Sequence, residues 1–360
     1  MIAPSAPLQR ALGAKLLVVD AHGGIRHAPR AALAQLLRAS DLVVANDAAT
    51  LPASLHGRHV PSGSRVEVRL AGRRSLKPND VRCFSAVVFG EGDFHTRTED
   101  RPPPPLIAPD DRLTLGPLCA IVERLLGHPR LVHLRFEGSP ATIWEGLARH
   151  GVPIQYAHLS DALALWDVWT PIAGPPVAFE PPSAGFALSW QTLTAMRDRG
   201  IGFATLTLAA GISSTGDAKL DARLPFDEPY VIPDSTARAI LRTRCKGGRI
   251  VAIGTTVVRA LEDAASRFGT VGAGPGLATK RVGADTRLAL VDALVSGTHE
   301  PGTSHFELLR AFTDDATLRQ VGKELDTRHY RRHKFGDSVL IERRAKIARV
   351  GTQPEQLVAA

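Results

Sequence analysis

Short, continuous apolar runs near both ends of the chain predict buried β-strands. They occupy Lys15–Asp20, Asp41–Ala45, Ile201–Ala209, Arg249–Gly254 and Ser338–Ile341. Runs of this length are typical of strands that are covered on both faces, as in a parallel sheet. Between several of them lie segments that are typical of helices and end at glycine, at residues 190–199, 236–246 and 255–268. This alternation of strand and helix predicts an α/β fold with a parallel-type sheet.

The middle of the chain has a different pattern, in which apolar and polar residues alternate. Val60–Leu70, Val81–Phe89 and Leu131–Phe136 show this alternation, which is typical of half-buried antiparallel strands. The sequence therefore predicts a main α/β domain in two parts, residues 1–58 and 156–345, interrupted by a mostly-β domain at residues 59–155. Residues 346–360 are predicted to form a C-terminal tail. Gly272–Gly276 is predicted to be a flexible loop.

Composition places the chain among soluble globular proteins. Of its 360 residues 44% are hydrophobic and 22% are charged, which is enough apolar material for a core and excludes a disordered chain. Cys83, Cys119 and Cys245 lack the close spacing of a zinc or redox motif, which indicates reduced thiols. No apolar run reaches the ~18–20 residues that a membrane-spanning helix needs. We therefore expect a cytoplasmic protein that has no membrane partner.

The positive charge of the chain is concentrated near its C-terminus. The formal net charge is +8, and the stretch Arg319–Arg349 holds ten basic and four acidic residues, a local net charge of +6. Such a stretch can neutralise phosphates, so it is a candidate nucleic-acid surface. A solvated helix face followed by a tail explains the same charges. Only Tyr330 and Phe335 supply aromatic rings there, which disfavours a base-stacking platform.

The strongest local motif is Gly247–Glu262, where a predicted strand ends at Gly254 and a helix follows. Thr255 or Thr256 would cap that helix, and Arg259 would lie one turn further on. Amide groups at a helix N-terminus attract carboxylates and phosphates, so this joint is a candidate anion site. An ordinary strand–helix connection of a doubly wound fold is an equally good interpretation. The segment lacks the Lys-Ser/Thr pair of a P-loop.

Two further positions carry candidate chemistry at the ends of predicted elements. His299 precedes a predicted helix start, a position that suits a catalytic base, although a single loop histidine is also typical of an ordinary polar residue. Asn46 and Asp47 follow a buried strand, at the edge where α/β folds bind ligands. Asn and Asp also terminate strands for purely structural reasons. The histidine pairs of the chain have no cysteine or carboxylate pair nearby at ligand spacing, so no metal site is predicted.

Several segments, taken in order along residues 15–345, resemble the S-adenosylmethionine:tRNA ribosyltransferase-isomerases of the queuosine pathway. They are Lys15–Asp20, Asp41–Arg58, Pro182–Gly185, Glu228 with Tyr230, Gly247–Glu262, His299 with Pro301, and Tyr330–Arg331 with Phe335–Asp337. One such match alone would be weak. Seven in the same order, with the β module inserted in the right place, are specific.

The resemblance implies both a fold and a reaction. The fold is an α/β domain interrupted by a β-barrel domain. The reaction moves the ribosyl part of S-adenosylmethionine, the co-substrate, to the aminomethyl group of a deazaguanine base in tRNA, and it releases adenine and methionine. The sulfonium acidifies the neighbouring C5′ hydrogens, so a base can start the reaction. No metal is expected.

The resemblance also implies roles for individual residues. His299, Glu228 and Asp47 are the candidates for catalytic base or proton shuttle. The candidates for contacts with S-adenosylmethionine are Asn46, Ser183, Gly185, Tyr230, Thr255, Thr256 and Arg259. Of these, Thr255, Thr256 and Arg259 would hold an anionic group. The tRNA would dock on the basic stretch Arg319–Arg349.

The chain departs from the family pattern at positions where the family has cationic or imidazole side chains. Arginine is missing near Ala48-Ala49 and at Ser54, and histidine is missing at Ala187, Ala209 and Phe226. The sequence alone therefore leaves three functions open. The first is the ribosyltransferase-isomerase reaction on tRNA. The second is an enzyme that binds S-adenosylmethionine and acts on a small molecule or cleaves S-adenosylmethionine itself, and the third is a non-catalytic protein that binds RNA or a ligand.

Overall fold

A computed structural model describes residues 5–6 and 13–345, so the predicted tail at 346–360 lies outside the described residues. The strands are β1 (Lys15–Val19), β2 (Ile25–Pro29), β3 (Leu42–Asn46), β4 (Ala49–Thr50), β5 (Ser54–His59), β6 (Arg65–Gly72), β7 (Cys83–Phe89), β8 (Arg112–Leu115), β9 (Leu118–His128), β10 (Leu131–Phe136), β11 (Pro176–Ala178), β12 (Gly202–Leu208), β13 (Glu228–Ile232), β14 (Ile250–Ile253), β15 (Gly274–Ala278), β16 (Ala293–Gly297) and β17 (Ser338–Glu342). The α-helices are α1 (Leu33–Leu36), α2 (Pro140–His150), α3 (Leu165–Val168), α4 (Trp190–Asp198), α5 (Ala218–Asp221), α6 (Asp234–Cys245), α7 (Thr255–Phe268), α8 (Ser304–Leu309) and α9 (Asp315–Thr327).

A nine-stranded sheet forms the main body, in the strand order β15-β13-β12-β3-β14-β16-β17-β1-β2. Its central strands β12, β3, β14 and β16 are parallel to one another, whereas the edge pairs β13–β15 and β1–β2 are antiparallel. Every residue of β3 is buried, which is why this strand has a continuous apolar run. Because the four central strands are parallel, their carboxyl ends lie at one edge of the sheet.

Helices cover both faces of this sheet. Leu42 and Val44 of β3 belong to one apolar cluster together with Leu261 of α7. Val43 and Ala45 belong to a second cluster, which includes residues of α1 and α4. The side chains of a strand alternate between its two faces, so the two clusters are the two layers between sheet and helices. The predicted fold class, an α/β sheet interrupted by a barrel, is confirmed.

The inserted part is a closed barrel in the strand order β10-β7-β6-β5-β8-β9. Its neighbouring strands are antiparallel throughout, as the alternating pattern of the sequence indicates. The helix α2 follows the barrel, and the Ser139 hydroxyl caps it by accepting the amide of Thr142 at 3.1 Å. The barrel extends from Ser54 to Phe136, and the division of the chain into two domains stays a prediction.

Two local predictions are wrong for identifiable reasons. Val60–Leu70 is not one strand, because residues 60–64 form the turn between β5 and β6, closed by the amide of Gly63 on the carbonyl of His59 at 2.8 Å. Pro, Ser and Gly at 61–63 are turn residues. Gly272–Gly276 is not a loop throughout, because Gly274 begins β15. That strand lies at the sheet edge, where the missing amide of Pro275 is tolerated.

Candidate active site

A cavity of about 570 Å³ lies where the carboxyl edge of the parallel strands meets the barrel. Its wall includes Gly211, Thr255 and His299, which follow β12, β14 and β16 respectively, and Arg69 of the barrel strand β6. Ligands of open α/β sheets bind outside the carboxyl ends of the strands. The volume falls within the roughly 300–1,000 Å³ of small-ligand sites. This cavity is therefore the candidate active site.

The N-terminus of α7 forms part of the cavity wall. Gly254 precedes the helix with φ 97° and ψ 151°, a conformation that is essentially confined to glycine, and no side chain caps the helix. Gly254, Thr255 and Thr256 all line the cavity. Uncapped amides and the helix dipole together favour a bound anion. The predicted anion site is therefore open to the cavity.

Two imidazoles are stacked in the wall of the cavity. The rings of His299 and His305 have centroids 4.8 Å apart and planes inclined by 15°, and both residues line the cavity. The Oγ of Ser296 lies 2.9 Å from Nε2 of His299 and holds that ring in place. Burial lowers the pKa of His299 well below its ordinary value and lowers the pKa of His305 to about 3. Both imidazoles are therefore neutral at physiological pH.

A second imidazole pair lines the same cavity. His158 and His333 are stacked with ring centroids 4.9 Å apart. Burial, with the charge of the neighbouring His333 as a smaller cause, lowers the pKa of His158 to about 4. The hydroxyl of Tyr156 and Nε2 of His158 are buried without a hydrogen-bond partner among the described residues. Burial also lowers the pKa of His333, so all four imidazoles of the cavity are uncharged when the pH is near neutral.

Each arginine and lysine side chain in the wall has an acidic partner. Lys334 pairs with Glu180, and both lie in the wall. Arg69 donates to Glu67 at 2.7 Å and stacks on the ring of Phe89 at 4.5 Å. Such pairs hold the cationic groups at fixed positions, because a lone charge is costly to bury.

Glu228 lines the cavity and is held by two partners. One carboxylate oxygen accepts the amide of Gly211 at 2.7 Å, and the other pairs with Arg259. Burial raises the pKa of Glu228 in spite of this ion pair. Arg259 itself does not line the cavity, and it donates to the carbonyl of Ala278 at 2.9 Å as well. Both side chains therefore support the cavity wall, and Glu228 is the one that reaches it.

Glu228 and Tyr230 of β13 each bind one side chain of α7. Glu228 pairs with Arg259, and the hydroxyl of Tyr230 donates to Asp263 at 2.8 Å. Residues two apart on a strand span about the same distance as residues four apart on a helix. The Glu-x-Tyr element is thus explained by helix packing, and the structure does not bring Tyr230 to the cavity.

The structure places three further predicted residues outside the cavity wall. The side-chain amide of Asn46 links β3 to β12. Its Nδ2 donates to the carbonyl of Leu208 and its Oδ1 accepts the backbone amide of Leu208, both at 3.0 Å. Asp47 accepts the hydroxyl of Thr207 at 2.6 Å. Gly185 lies in a short helical turn behind Ser183, where an added Cβ would meet Thr170 at 2.9 Å. Ser183 does line the cavity, together with Glu228, Thr255, Thr256 and His299.

Several residues of the wall were not predicted from the sequence. They are Arg69, Tyr156, His158, Glu180, His305, His333 and Lys334. His305 carried one usable signal, because it stands six positions after His299 at a predicted helix start. The other residues come from the barrel, from residues 156–180 and from the basic stretch Arg319–Arg349. Only the fold shows that these three segments lie close together.

The basic stretch Arg319–Arg349 is not one surface. Lys346 and Arg349 lie outside the described residues, Lys334 lines the cavity, and Arg343 pairs with Asp292 at 2.7 Å. Arg319 and Lys323 are exposed on α9 and form no ion pair with any described residue. These two cations are the part of the stretch that is most available to a partner.

Residues 5–6 and 13–345 contain neither a candidate metal centre nor a helix that could span a membrane. Over these ranges no three His, Cys, Asp or Glu side chains are grouped so that they could hold a metal ion. Over the same part of the chain, every helix is too short or too polar to cross a membrane. A second cavity of about 590 Å³ between α8 and α9 shares Thr298 and His299 with the candidate site.

Comparison with known proteins gives consistent findings. The family model described as "Queuosine biosynthesis protein" matches residues 1–341. A Gloeobacter violaceus protein named S-adenosylmethionine:tRNA ribosyltransferase-isomerase is 32% identical over 340 residues, covering 91% of this chain and 88% of the relative. A protein of the same name from Citrifermentans bemidjiense is 30% identical over 341 residues, covering 93% and 94%. The crystal structure of an S-adenosylmethionine tRNA ribosyltransferase from Thermotoga maritima has a TM-score of 0.50 and 22% identity, covering 94% of this chain and 96% of that one, which supports the fold.

Proposed function

The chain belongs to the family of queuosine biosynthesis proteins, and on that premise we propose that it is an S-adenosylmethionine:tRNA ribosyltransferase-isomerase. It takes the ribosyl part of S-adenosylmethionine and adds it to the aminomethyl group of a deazaguanine base in tRNA. Adenine and methionine are the other products. The enzyme uses S-adenosylmethionine as a co-substrate and acts without a metal.

One observation carries the proposal: a neutral imidazole and an open helix N-terminus line the same cavity. His299, fixed by Ser296, removes a C5′ proton beside the sulfonium. The methionine carboxylate binds the amides at the start of α7, beside Thr255 and Thr256. A carboxylate at this position holds the co-substrate in place while the base acts on its other end.

The arginine that the family has at position 54 has a substitute from the opposite strand. Ser54 of β5 is the direct partner of Arg69 in β6, and Arg69 lines the cavity. The hydroxyl of Ser54 donates to Glu67 at 2.7 Å, the same carboxylate that holds Arg69. The cation is therefore supplied from a neighbouring position, which supports a retained activity over a non-catalytic protein.

The finer part of the proposal concerns the tRNA surface. We assign the tRNA contact to the exposed cations of α9, Arg319 and Lys323, which lie one helical turn apart. Replacing each with Gln removes one phosphate contact. The slope of log affinity for tRNA against log salt concentration then falls by about one for each substitution. Arg58→Gln, a change on the exposed surface of the barrel, leaves the slope as it is.

The activity test uses S-adenosylmethionine labelled in the ribose, with tRNA that carries the aminomethyl base. The expected result is label in the tRNA together with free adenine and methionine. His299→Ala abolishes both labelling and adenine release. Release of adenine or methionine without RNA would instead indicate an enzyme that acts on S-adenosylmethionine alone or with a small molecule. Binding of S-adenosylmethionine or tRNA without any release would indicate the non-catalytic alternative.

A further inference from the structure

We propose that His305 is a second catalytic residue of this site, the base that takes the proton of the acceptor amine while His299 acts on C5′. This inference rests on the proposed function. The two imidazoles come from different elements, His299 from the loop after β16 and His305 from the first turn of α8. They meet face to face in the cavity wall, with ring centroids 4.8 Å apart.

The hydrogen bonds around the two rings differ. Nε2 of His299 is occupied by Ser296 at 2.9 Å, which fixes the orientation of that ring. Neither ring nitrogen of His305 is hydrogen-bonded to any of the described residues, and neither is sealed from the cavity. A half-buried imidazole that lines a ligand cavity without a protein partner is available to the ligand.

Burial and, as smaller causes, the charged groups around the pair lower the pKa of both rings and keep them neutral before the reaction. The charge of Lys334 lowers the pKa of both imidazoles. His333 lowers the pKa of His299 in the same way, and Arg259 lowers the pKa of His305. Glu228 neutralises Arg259, and Glu180 neutralises Lys334. Once one ring takes a proton, its charge disfavours protonation of the other, so the pair carries one proton at a time.

The proton balance of the reaction requires more than one transfer. The C5′–H bond breaks, its electron pair stays on carbon, and the proton goes to His299. Departing adenine needs a proton on a ring nitrogen, and the proton that His299 holds can be returned there. The amine forms the new C–N bond and must lose a proton, which goes to His305 and then to water. The electron pair left on C5′ forms a carbon–carbon bond to C1′, the ribose ring oxygen released from C1′ closes the epoxide on C5′, and methionine leaves with the electron pair of the C5′–S bond. The sulfonium charge of the co-substrate therefore ends as the proton released to water.

His305→Phe is the informative variant because it keeps a stacked ring and removes both nitrogens. At neutral pH we expect label transfer to tRNA to fall by about 100-fold or more, whereas adenine release continues. Transfer recovers by about tenfold per pH unit as the pH rises, because hydroxide and water then deprotonate the amine. The control His133→Phe removes an imidazole from the barrel strand β10, outside the cavity, and transfers label as the unaltered chain does.

Three results would overturn this assignment. One is label transfer by His305→Phe within threefold of the unaltered chain. Another is parallel loss of adenine release and transfer without recovery at higher pH, which would indicate a structural role, and urea unfolding of the variant checks that the fold is intact. The third is a rise of label transfer by about tenfold per pH unit in the control His133→Phe as well, because the rise would then not depend on His305. If the unaltered chain itself neither releases adenine nor labels tRNA, the proposed function fails, which is a separate outcome.

Discussion

Gly254 provides the sharpest test of the anion site, because the same helix offers a matched control. Gly254 precedes α7 with φ 97°, and Gly269 follows it with φ 69°. Both backbone conformations favour glycine, so alanine at either position strains the chain. Only Gly254 lines the cavity, whereas an added Cβ at Gly269 meets nothing within 4 Å. The pair therefore separates the effect of strain from the effect on the site.

The magnitudes follow from the two conformations. Gly269→Ala lowers the free energy of unfolding by about 1–2 kcal/mol, the cost of the left-handed region. Gly254→Ala lowers it by about 1–3 kcal/mol, because its conformation is accessible to almost no other residue. The new Cβ would make only a close van der Waals contact with the Cβ of Ala184, at 3.4 Å, so the backbone strain at position 254 is what displaces the amides at the start of α7. If the helix N-terminus contributes about 1–2 kcal/mol to binding the carboxylate, the Kd for S-adenosylmethionine rises roughly 5- to 30-fold.

Urea unfolding gives the stability of each variant, and calorimetric titration with S-adenosylmethionine gives the Kd. Comparable losses of stability with a weaker Kd only for Gly254→Ala would support the anion site. An unchanged Kd for Gly254→Ala, or an equal rise in both variants, would refute the assignment of the carboxylate to the start of α7.

Three further predictions test the supports of the site and its protonation. Tyr230→Phe removes the hydrogen bond to Asp263 and costs about 1 kcal/mol in unfolding experiments, with the Kd for S-adenosylmethionine unchanged, since Tyr230 does not line the cavity. Glu228→Gln leaves Arg259 buried without a counter-charge and costs about 3–5 kcal/mol, much of which Arg259→Met in the same chain restores; equal stability of the single and double variants would contradict this. The pKa of His305 is lowered to about 3, so the folded state keeps this ring neutral. The free energy of unfolding therefore decreases as the pH falls from about 6.5 towards 3, by up to about 1.4 kcal/mol per pH unit. In urea unfolding experiments His305→Phe shows a shallower dependence on pH.

The sequence predicted the features that depend on local pattern. Apolar runs located β3 and β14, and the helical segments predicted at residues 190–199 and 236–246 located α4 and α6. The joint between β14 and α7 at Gly254 was also located correctly, but the predicted cap by Thr255 or Thr256 is wrong, because Gly254 is the N-cap residue and no side chain caps the helix. Such features need only the periodicity of one element and the chemistry of its ends. The strand–helix joint predicted from the sequence is therefore part of the cavity wall.

The sequence did not reveal features that depend on packing between distant segments. The resemblance to the family's Glu-x-Tyr pair assigned Tyr230 to the site, yet its hydroxyl binds Asp263 of α7 and Tyr230 does not line the cavity. Arg259 was expected to hold an anionic group of the ligand, but it forms an ion pair with Glu228. Lys334 was counted within a basic stretch, and the fold brings it to Glu180 at the cavity wall. In each case the partner lies far along the chain or on another element.

Register within the barrel changes the meaning of the missing arginine at position 54. In sequence, Ser54 reads as the loss of a cation at a family position. In the barrel, Ser54 is paired with Arg69 across β5 and β6, and both side chains bind the same carboxylate of Glu67. A cation on either of two paired strands can reach the same point, since cross-strand neighbours lie about 5 Å apart. An arginine lost from one strand is therefore not evidence of lost chemistry until its cross-strand partner is known, and here that partner is Arg69 in the cavity wall.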